Sequence, residues 1–180
     1  ENDYFFIIDE INRGNLSKIF GELFMLIEKD KRGIELQLLY SDENFSVPAN
    51  VYIIGMMNTA DRSLAMLDYA LRRRFSFFTM KPGFNAPGFQ AYQDSLKSAD
   101  FNKLIACVKQ LNSKIAEDIS LGEGFCIGHS YFCSLTPETA NTQTLSSIVE
   151  YELIPLLKEY WFDEPAKVID WSDRLRSAVK

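Results

Sequence analysis

Two short polar strings in this 180-residue chain follow directly on apolar runs, and both carry groups suited to phosphate chemistry. The first is Asp9-Glu10, after Tyr4-Phe5-Phe6-Ile7-Ile8. A carboxylate at the tip of a buried strand can hold Mg²⁺ through water. A second one beside it can orient and deprotonate a water that attacks a γ-phosphate. That is the logic of a Walker B box, with Asp9 on the metal and Glu10 as the base. The plainer alternative is a core strand that leaves through two solvated acids. The second string is Asn58-Thr59-Ala60-Asp61-Arg62-Ser63, after the apolar residues 51–57. An amide at a neighbouring strand tip can hydrogen-bond the attacking water or the γ-phosphate, so Asn58, with Asp61, is read as positioning both. A loop in which Asp61 or Ser63 caps the next helix is the plainer alternative, and the two roles are compatible.

A third constellation is Arg72-Arg73-Arg74. Cations at a helix C-terminus gain about 0.3–1 kcal/mol each from the helix dipole, and this is a sufficient reason for arginines there. The sharper reading is an arginine finger, a guanidinium that stabilises the charge built up during phosphoryl transfer in a neighbour's site, worth about 10³–10⁵ in rate. Successive helical residues diverge by about 100°, so at most two of the three can serve one site. Ten residues of helix at about 1.5 Å rise carry Arg73 and Arg74 about 15 Å from the Asn58 tip, which favours action on another subunit.

The elements that would position these groups follow from periodicity. Residues 4–8 and 51–57 are uninterrupted apolar runs, the pattern of parallel strands buried on both faces. Residues 15–29 place Leu16, Ile19, Phe20, Leu23, Phe24 and Ile27 at helical spacing behind Asn15 as N-cap. Two extended pieces, 34–39 and 45–47, flank Ser41-Asp42-Glu43-Asn44 and predict a projecting β-hairpin, whose polar tips are solvated turns or a partner contact. Residues 64–74 predict a helix and 75–80 a third strand. Strands alternating with helices argue for a parallel α/β sheet, in which chemistry collects at the C-terminal strand ends.

Pro82-Gly83 and Pro87-Gly88 mark a boundary, after which the strand signal nearly vanishes. Phe101, Leu104, Ile105, Val108, Leu111, Ile115 and Ile119 step along one helix. A Gly-rich bend over 122–128 precedes Ser130-Tyr131-Phe132-Cys133. Residues 144–161 are helical again, with Pro155 kinking the helix or starting a second segment, and 165–179 can hold a last one.

The chain is 47% hydrophobic and 24% charged, a globular composition that excludes disordered and fibrous classes. No segment approaches the roughly 20 apolar residues of a membrane helix, and no signal peptide is apparent. Net charge is −6, so the surface lacks the basic field of non-specific nucleic-acid binding. Three cysteines, without Cys-x-x-Cys, read as reduced thiols, and the expectation is a soluble, cytoplasmic protein without a membrane partner. Cys126-x-x-His129-x-x-x-Cys133 offers three zinc ligands and no fourth, which argues against a metal.

Asp9-Glu10-Ile11-Asn12-Arg13-Gly14-Asn15-Leu16-Ser17-Lys18, Met57-Asn58-Thr59-Ala60-Asp61-Arg62-Ser63, Asp68-Tyr69-Ala70-Leu71-Arg72-Arg73-Arg74-Phe75 and Gly128-His129-Ser130-Tyr131-Phe132 together resemble the McrB family, the AAA+ GTPase subunits of methylcytosine-specific restriction systems. Met-Asn-Thr-x-Asp-Arg-Ser is the most specific of these strings. The resemblance implies a homo-oligomeric ring, a hexamer, that binds Mg²⁺ and GTP. It also implies a McrC-like nuclease partner and a separate N-terminal domain for modified DNA. An ATP-using AAA+ remodelling protein of the dynein- and chelatase-related branch shares the strand-tip chemistry and remains the alternative, as does a module that serves assembly alone.

No Gly-x-x-x-x-Gly-Lys-Ser/Thr occurs in these residues, so the phosphate cradle of a P-loop is absent. The chain opens on Glu1-Asn2-Asp3 without an initiator Met. The expectation is a fragment without appreciable activity in isolation. Residues 1–82 would form the second half of a P-loop AAA+ α/β core with an inserted hairpin, and 83–180 an all-helical lid in which His129 or Ser130 contacts nucleotide or simply packs.

Overall fold

In the computed structural model, residues 2–58, 60 and 69–180 are described. They divide into two compact units, residues 1–79 and 80–180. The first is built on two parallel strands, β1 (Tyr4–Ile8) and β4 (Val51–Gly55), paired in register from Tyr4 opposite Val51 to Ile8 opposite Gly55. A short antiparallel hairpin, β2 (Leu36–Gln37) and β3 (Asn44–Phe45), lies between them in sequence. This is the predicted hairpin with shorter rungs. Asp42 at its turn takes a left-handed φ of 55°.

Three expectations need correction in this unit. The stretch read as one helix over 15–29 is a five-residue helix, α1 (Leu16–Phe20), continued by 3₁₀ turns over Gly21–Ile27. Asn15 caps it as predicted, its side chain accepting from the Lys18 amide, but Gly21 adopts φ 52°. That left-handed residue ends the α ladder and leaves tighter turns beyond it. Residues 75–80 form no strand, since none of the four described strands pairs with them and an apolar run without a ladder partner has no sheet to join. Phe78 and Met80 stay exposed there.

The strand pair is also not buried on both faces. Phe5 is 63% and Ile7 59% exposed, because nothing among the described residues covers the face of the two-stranded sheet to which they point. One face opens on an apolar cavity of about 390 Å³, lined among others by Phe6, Ile8, Phe24, Ile53 and Phe75. The core here is small, with Ile11, Leu16 and Phe24 at its centre.

The second unit is helical and closes on itself. It comprises α3 (Pro87–Leu96), α4 (Ala99–Glu117), α5 (Thr142–Ile148), α6 (Ile154–Tyr160) and α7 (Pro165–Ala178). The predicted apolar face of α4 is its core face: Phe101, Leu104, Ile105, Val108, Leu111 and Ile115 are all buried. Ile119 lies past the helix end and is fully exposed. Ser98 caps α4 by accepting from the Phe101 amide. Between α5 and α6 the chain widens into a π-turn, Val149–Leu153, directly before Pro155. Pro155 therefore starts α6, where a missing N–H costs least.

At the far end of α4, Asp118 gathers three elements. It accepts from Ser120 Oγ at 2.6 Å, Trp161 Nε1 at 2.9 Å and Lys167 Nζ at 3.0 Å. Among the described residues no helix is long and apolar enough to cross a membrane.

Candidate functional site

Parallel pairing brings the two polar strand tips together. Past the last rung, the Met56 amide donates to Ile8 O at 2.8 Å, and the Ile11 amide donates to Met56 O at 2.9 Å. Asp9 and Glu10 thus leave the sheet beside residues 56–58. Ile11 folds its side chain back over the neighbouring strand end and is buried. This closeness requires Gly55, where a Cβ would stand 2.5 Å from Ile11 Cδ1. A glycine in an otherwise β-branched strand end is the price of turning the acids outward at that point.

Glu10 holds φ at 52°, a left-handed conformation that bulky side chains seldom adopt. Its amide donates to Asp9 Oδ1 at 2.9 Å and its carbonyl accepts from the Arg13 amide at 2.9 Å. The acid pair and the following turn therefore form one tight unit. Arg13 Nε stands 3.3 Å from Glu10 Oε2. Glu10 Oε2 is buried with that guanidinium as its charge partner. Asn12 Oδ1 is buried and accepts no hydrogen bond among the described residues, which leaves it able to accept from a ligand or water. Asn58 is exposed, and its Oδ1 accepts from the Ala60 amide at 3.0 Å. That fixes the orientation of the amide and turns its NH₂ group, with two donors, away from Ala60. Asp61 lies outside the described residues, as do Ser63 and the start of the helix predicted over 64–74.

These groups fit Mg²⁺ carried on a nucleotide. The tip supplies hard carboxylate oxygens, and among the described residues no cluster of three His, Cys, Asp or Glu side chains forms a protein cage. Mg²⁺ favours one or two carboxylates, phosphate oxygens and retained waters over such cages.

The end of that helix is described as α2 (Tyr69–Arg74). Its last two arginines are placed differently. Arg74 forms an ion pair through Nη2 with Glu28 Oε1, and its guanidinium lies 4.6 Å from the Phe24 ring centroid. The side chains of Arg74 and Glu28 are 20% and 33% exposed. Arg73 sits on the exposed side. Sequence reasoning does not find Glu28 or Phe24 as partners. The available signal is an acid one helical turn after an aromatic residue, Phe24-x-x-x-Glu28, facing a distant cation.

His129, in the second unit, is built into the packing. Its Nδ1 accepts from the Gly83 amide at 3.0 Å, which puts the proton of the neutral ring on Nε2. Its ring meets Phe84 and Phe89 edge-on, at centroid distances of 6.2 and 5.7 Å. Ser130 beside it is exposed. The two thiols of the cysteine-histidine string are donors to backbone carbonyls, Cys126 to Asn112 O and Cys133 to His129 O.

Comparison with known proteins divides the chain in the same order. Residues 2–75 match the AAA domain of the dynein-related subfamily, and residues 103–169 match the McrB alpha-helical lid domain. The chain is 52% identical over 185 residues to the type IV methyl-directed restriction enzyme EcoKMcrB subunit of Escherichia coli (strain K12), covering 97% of this chain and 40% of that protein. It is 29% identical over 144 residues to the type II restriction enzyme BsuMI component YdiS of Bacillus subtilis (strain 168), covering 68% of this chain and 42% of that protein. The chain thus spans well under half the length of the curated relatives it matches.

Proposed function

Because this chain belongs to the McrB family of AAA proteins, we propose that it is the C-terminal part of a motor that hydrolyses GTP to drive DNA translocation and cleavage by a restriction complex directed at modified cytosine. The observation that carries this reading is the adjacency of the two strand tips, sealed by the Ile11 amide on Met56 O at 2.9 Å. Asp9 would hold Mg²⁺, which when bound neutralises charge building between the β- and γ-phosphates. Glu10 would take a proton from the attacking water through a carboxylate that Arg13 Nε holds from 3.3 Å at Oε2. Asn58, whose oxygen accepts from the Ala60 amide, would donate through its NH₂ group to the γ-phosphate or the water, and Asp61 would assist. Ser130 or His129 would close on the nucleotide from the lid, with Ser130 the more exposed of the two.

Arg73 or Arg74 would reach the site of the next subunit in a hexameric ring. The ring would engage a McrC-like nuclease subunit, and DNA would be read by a domain outside these residues. The match of residues 2–75 to the dynein-related AAA subfamily favours a second reading, an ATP-driven remodelling protein. Turnover of GTP against ATP by the full-length protein separates the two.

Mixing complementary variants tests the shared site. Full-length Glu10→Gln and full-length Arg73→Ala/Arg74→Ala should each be nearly inactive, and should regain turnover when combined. In mixed rings some interfaces pair an intact Glu10 with intact arginines. If proven mixed rings show no recovery, the arginines do not act across subunits.

A further inference from the structure

We infer that the apex of the β2–β3 hairpin, Leu39 and Tyr40 with Asp42 and Glu43 in the same turn, docks the nuclease subunit of the proposed complex; this rests on the restriction-complex reading above. The receiving surface would be an apolar pocket rimmed by Lys or Arg.

A turn apex is normally polar, because its side chains stand in water. Here Leu39 is 79% exposed and Tyr40 fully so. The turn that carries them is closed. The Leu38 amide donates to Glu43 O at 2.8 Å, and the Asp42 amide donates to Leu38 O at 3.0 Å. Asp42 takes a left-handed φ of 55°, a conformation that Asp tolerates better than most residues. Gln37 Nε2 adds a bond to Asp42 O at 3.4 Å, and Asn44 Nδ2 one to Glu35 Oε2 at 3.2 Å. The apex is therefore presented in one shape, with its two large apolar side chains turned out of it.

The base is mounted as firmly. Arg32 donates from Nε to Ile27 O at 3.2 Å and from Nη1 to Val51 O at 3.1 Å, which joins the residues before and after the hairpin. The Gly33 amide donates to Val47 O at 2.9 Å. On the return arm, Phe45, Val47 and Pro48 line the apolar cavity of the unit. An exposed aromatic on a preorganised support suits an interface anchor, since little ordering entropy remains to be lost on binding.

Charge selects the class of partner. Residues 33–50 carry Glu35, Asp42 and Glu43 and neither Lys nor Arg. Nucleic-acid phosphates are bound through Lys and Arg and would be repelled here, whereas a basic protein rim is complementary. Position selects between protein partners. The hairpin feeds β4 at Val51, and Asn58 follows the other end of that strand, Gly55. Four rises of about 3.3 Å put about 13 Å between the two ends. The neighbouring copy is engaged at the Asn58 end in the shared-site reading, so the apex, mounted at the opposite end, is assigned to a different protein.

The test measures binding of the full-length ring to the purified McrC-like nuclease subunit by calorimetry. Tyr40→Ala and Leu39→Ser should each weaken binding by about 30-fold. Ring assembly and basal GTP turnover should stay at the wild-type level, since the apex lies outside the phosphate site. Asp42→Asn/Glu43→Gln removes two charges and keeps a residue that tolerates left-handed backbone. It should weaken binding at low salt and flatten its salt dependence.

Unchanged binding in Tyr40→Ala would overturn the inference. So would loss of the ring in both Tyr40→Ala and Asp42→Asn/Glu43→Gln, which would seat the apex on a second copy. Weakened binding of a duplex oligonucleotide, with nuclease binding intact, would make the apex a DNA contact and overturn it too. If the wild-type ring does not bind the nuclease subunit, the restriction-complex reading itself has failed; if it binds and every apex variant binds equally, the docking assignment alone has failed.

Discussion

The amide of Ile11 donates to the carbonyl of Met56 at 2.9 Å, beyond the last ladder rung between Ile8 and Gly55. This one bond ties the loop carrying Glu10 to the strand end carrying Asn58. A substitution at either tip therefore acts on a common geometry.

In the full-length protein, Glu10→Gln is expected to abolish turnover and preserve nucleotide binding, since it removes a base and leaves phosphate and Mg²⁺ contacts intact. Asp9→Asn should weaken Mg²⁺-dependent binding as well. Single-turnover kinetics with a binding isotherm check both, and near-normal turnover in Glu10→Gln would reduce Glu10 to a solvated strand end.

The 180 residues alone should neither bind nor hydrolyse nucleotide appreciably. They contain no P-loop sequence, and hence no Gly-rich cradle and lysine for the β- and γ-phosphates. Calorimetric titration with GTP and ATP measures this directly; micromolar affinity for either would contradict it.

Asp118 should make the helical unit sensitive to acid. Hydrogen bonds from Ser120, Lys167 and Trp161 hold its carboxyl well below the usual carboxylate range. A carboxyl with a lowered pKa in the fold stabilises fully above its unfolded value of about 3.9, and this contribution fades as pH falls below it. Asp118→Asn should cost about 1–3 kcal/mol at neutral pH. The gap between wild type and variant should narrow from pH 5 to pH 3, as followed by thermal denaturation of the chain. A gap that stays constant with pH would show that the charge is not what matters.

Gly83→Ala should destabilise the entry to the helical unit. A Cβ at Gly83 would stand 2.9 Å from His129 Cε1, and the ring, lodged against Phe84 and Phe89, has little room to retreat. Overpacking of this kind costs about 1–3 kcal/mol. His129→Ala/Gly83→Ala should recover part of the loss; a double variant no better than the sum of the singles would show that the two do not share the space.

Much of this architecture was legible because its causes are local. The α4 face from Phe101 to Ile115 is a matter of spacing, and the Asn15 cap is a matter of one side chain. The strand tips could be matched because apolar runs ending in polar strings are visible in sequence. What escaped depends on distant neighbours. The exposure of Phe5 and Ile7 is decided by what else lies over the sheet, and residues 75–80 have strand composition without a described strand to pair with them. Gly21 was the visible warning that residues 15–29 would not remain one α-helix, whereas Pro155 marked a break without revealing the π-turn before it. Of the Arg74 socket only the local pair Phe24-x-x-x-Glu28 shows in the sequence, since nothing in the spacing links position 74 to positions 24 and 28.

The left-handed backbone at Glu10, φ 52°, sets two demands against each other. A non-glycine residue held there costs about 1–3 kcal/mol, and glycine would relieve that cost at once. Selection for thermal robustness alone would thus drift toward losing the carboxylate. A library enriched by heat challenge, with no demand on turnover, should accumulate glycine at position 10, and the same library under an activity screen should discard it.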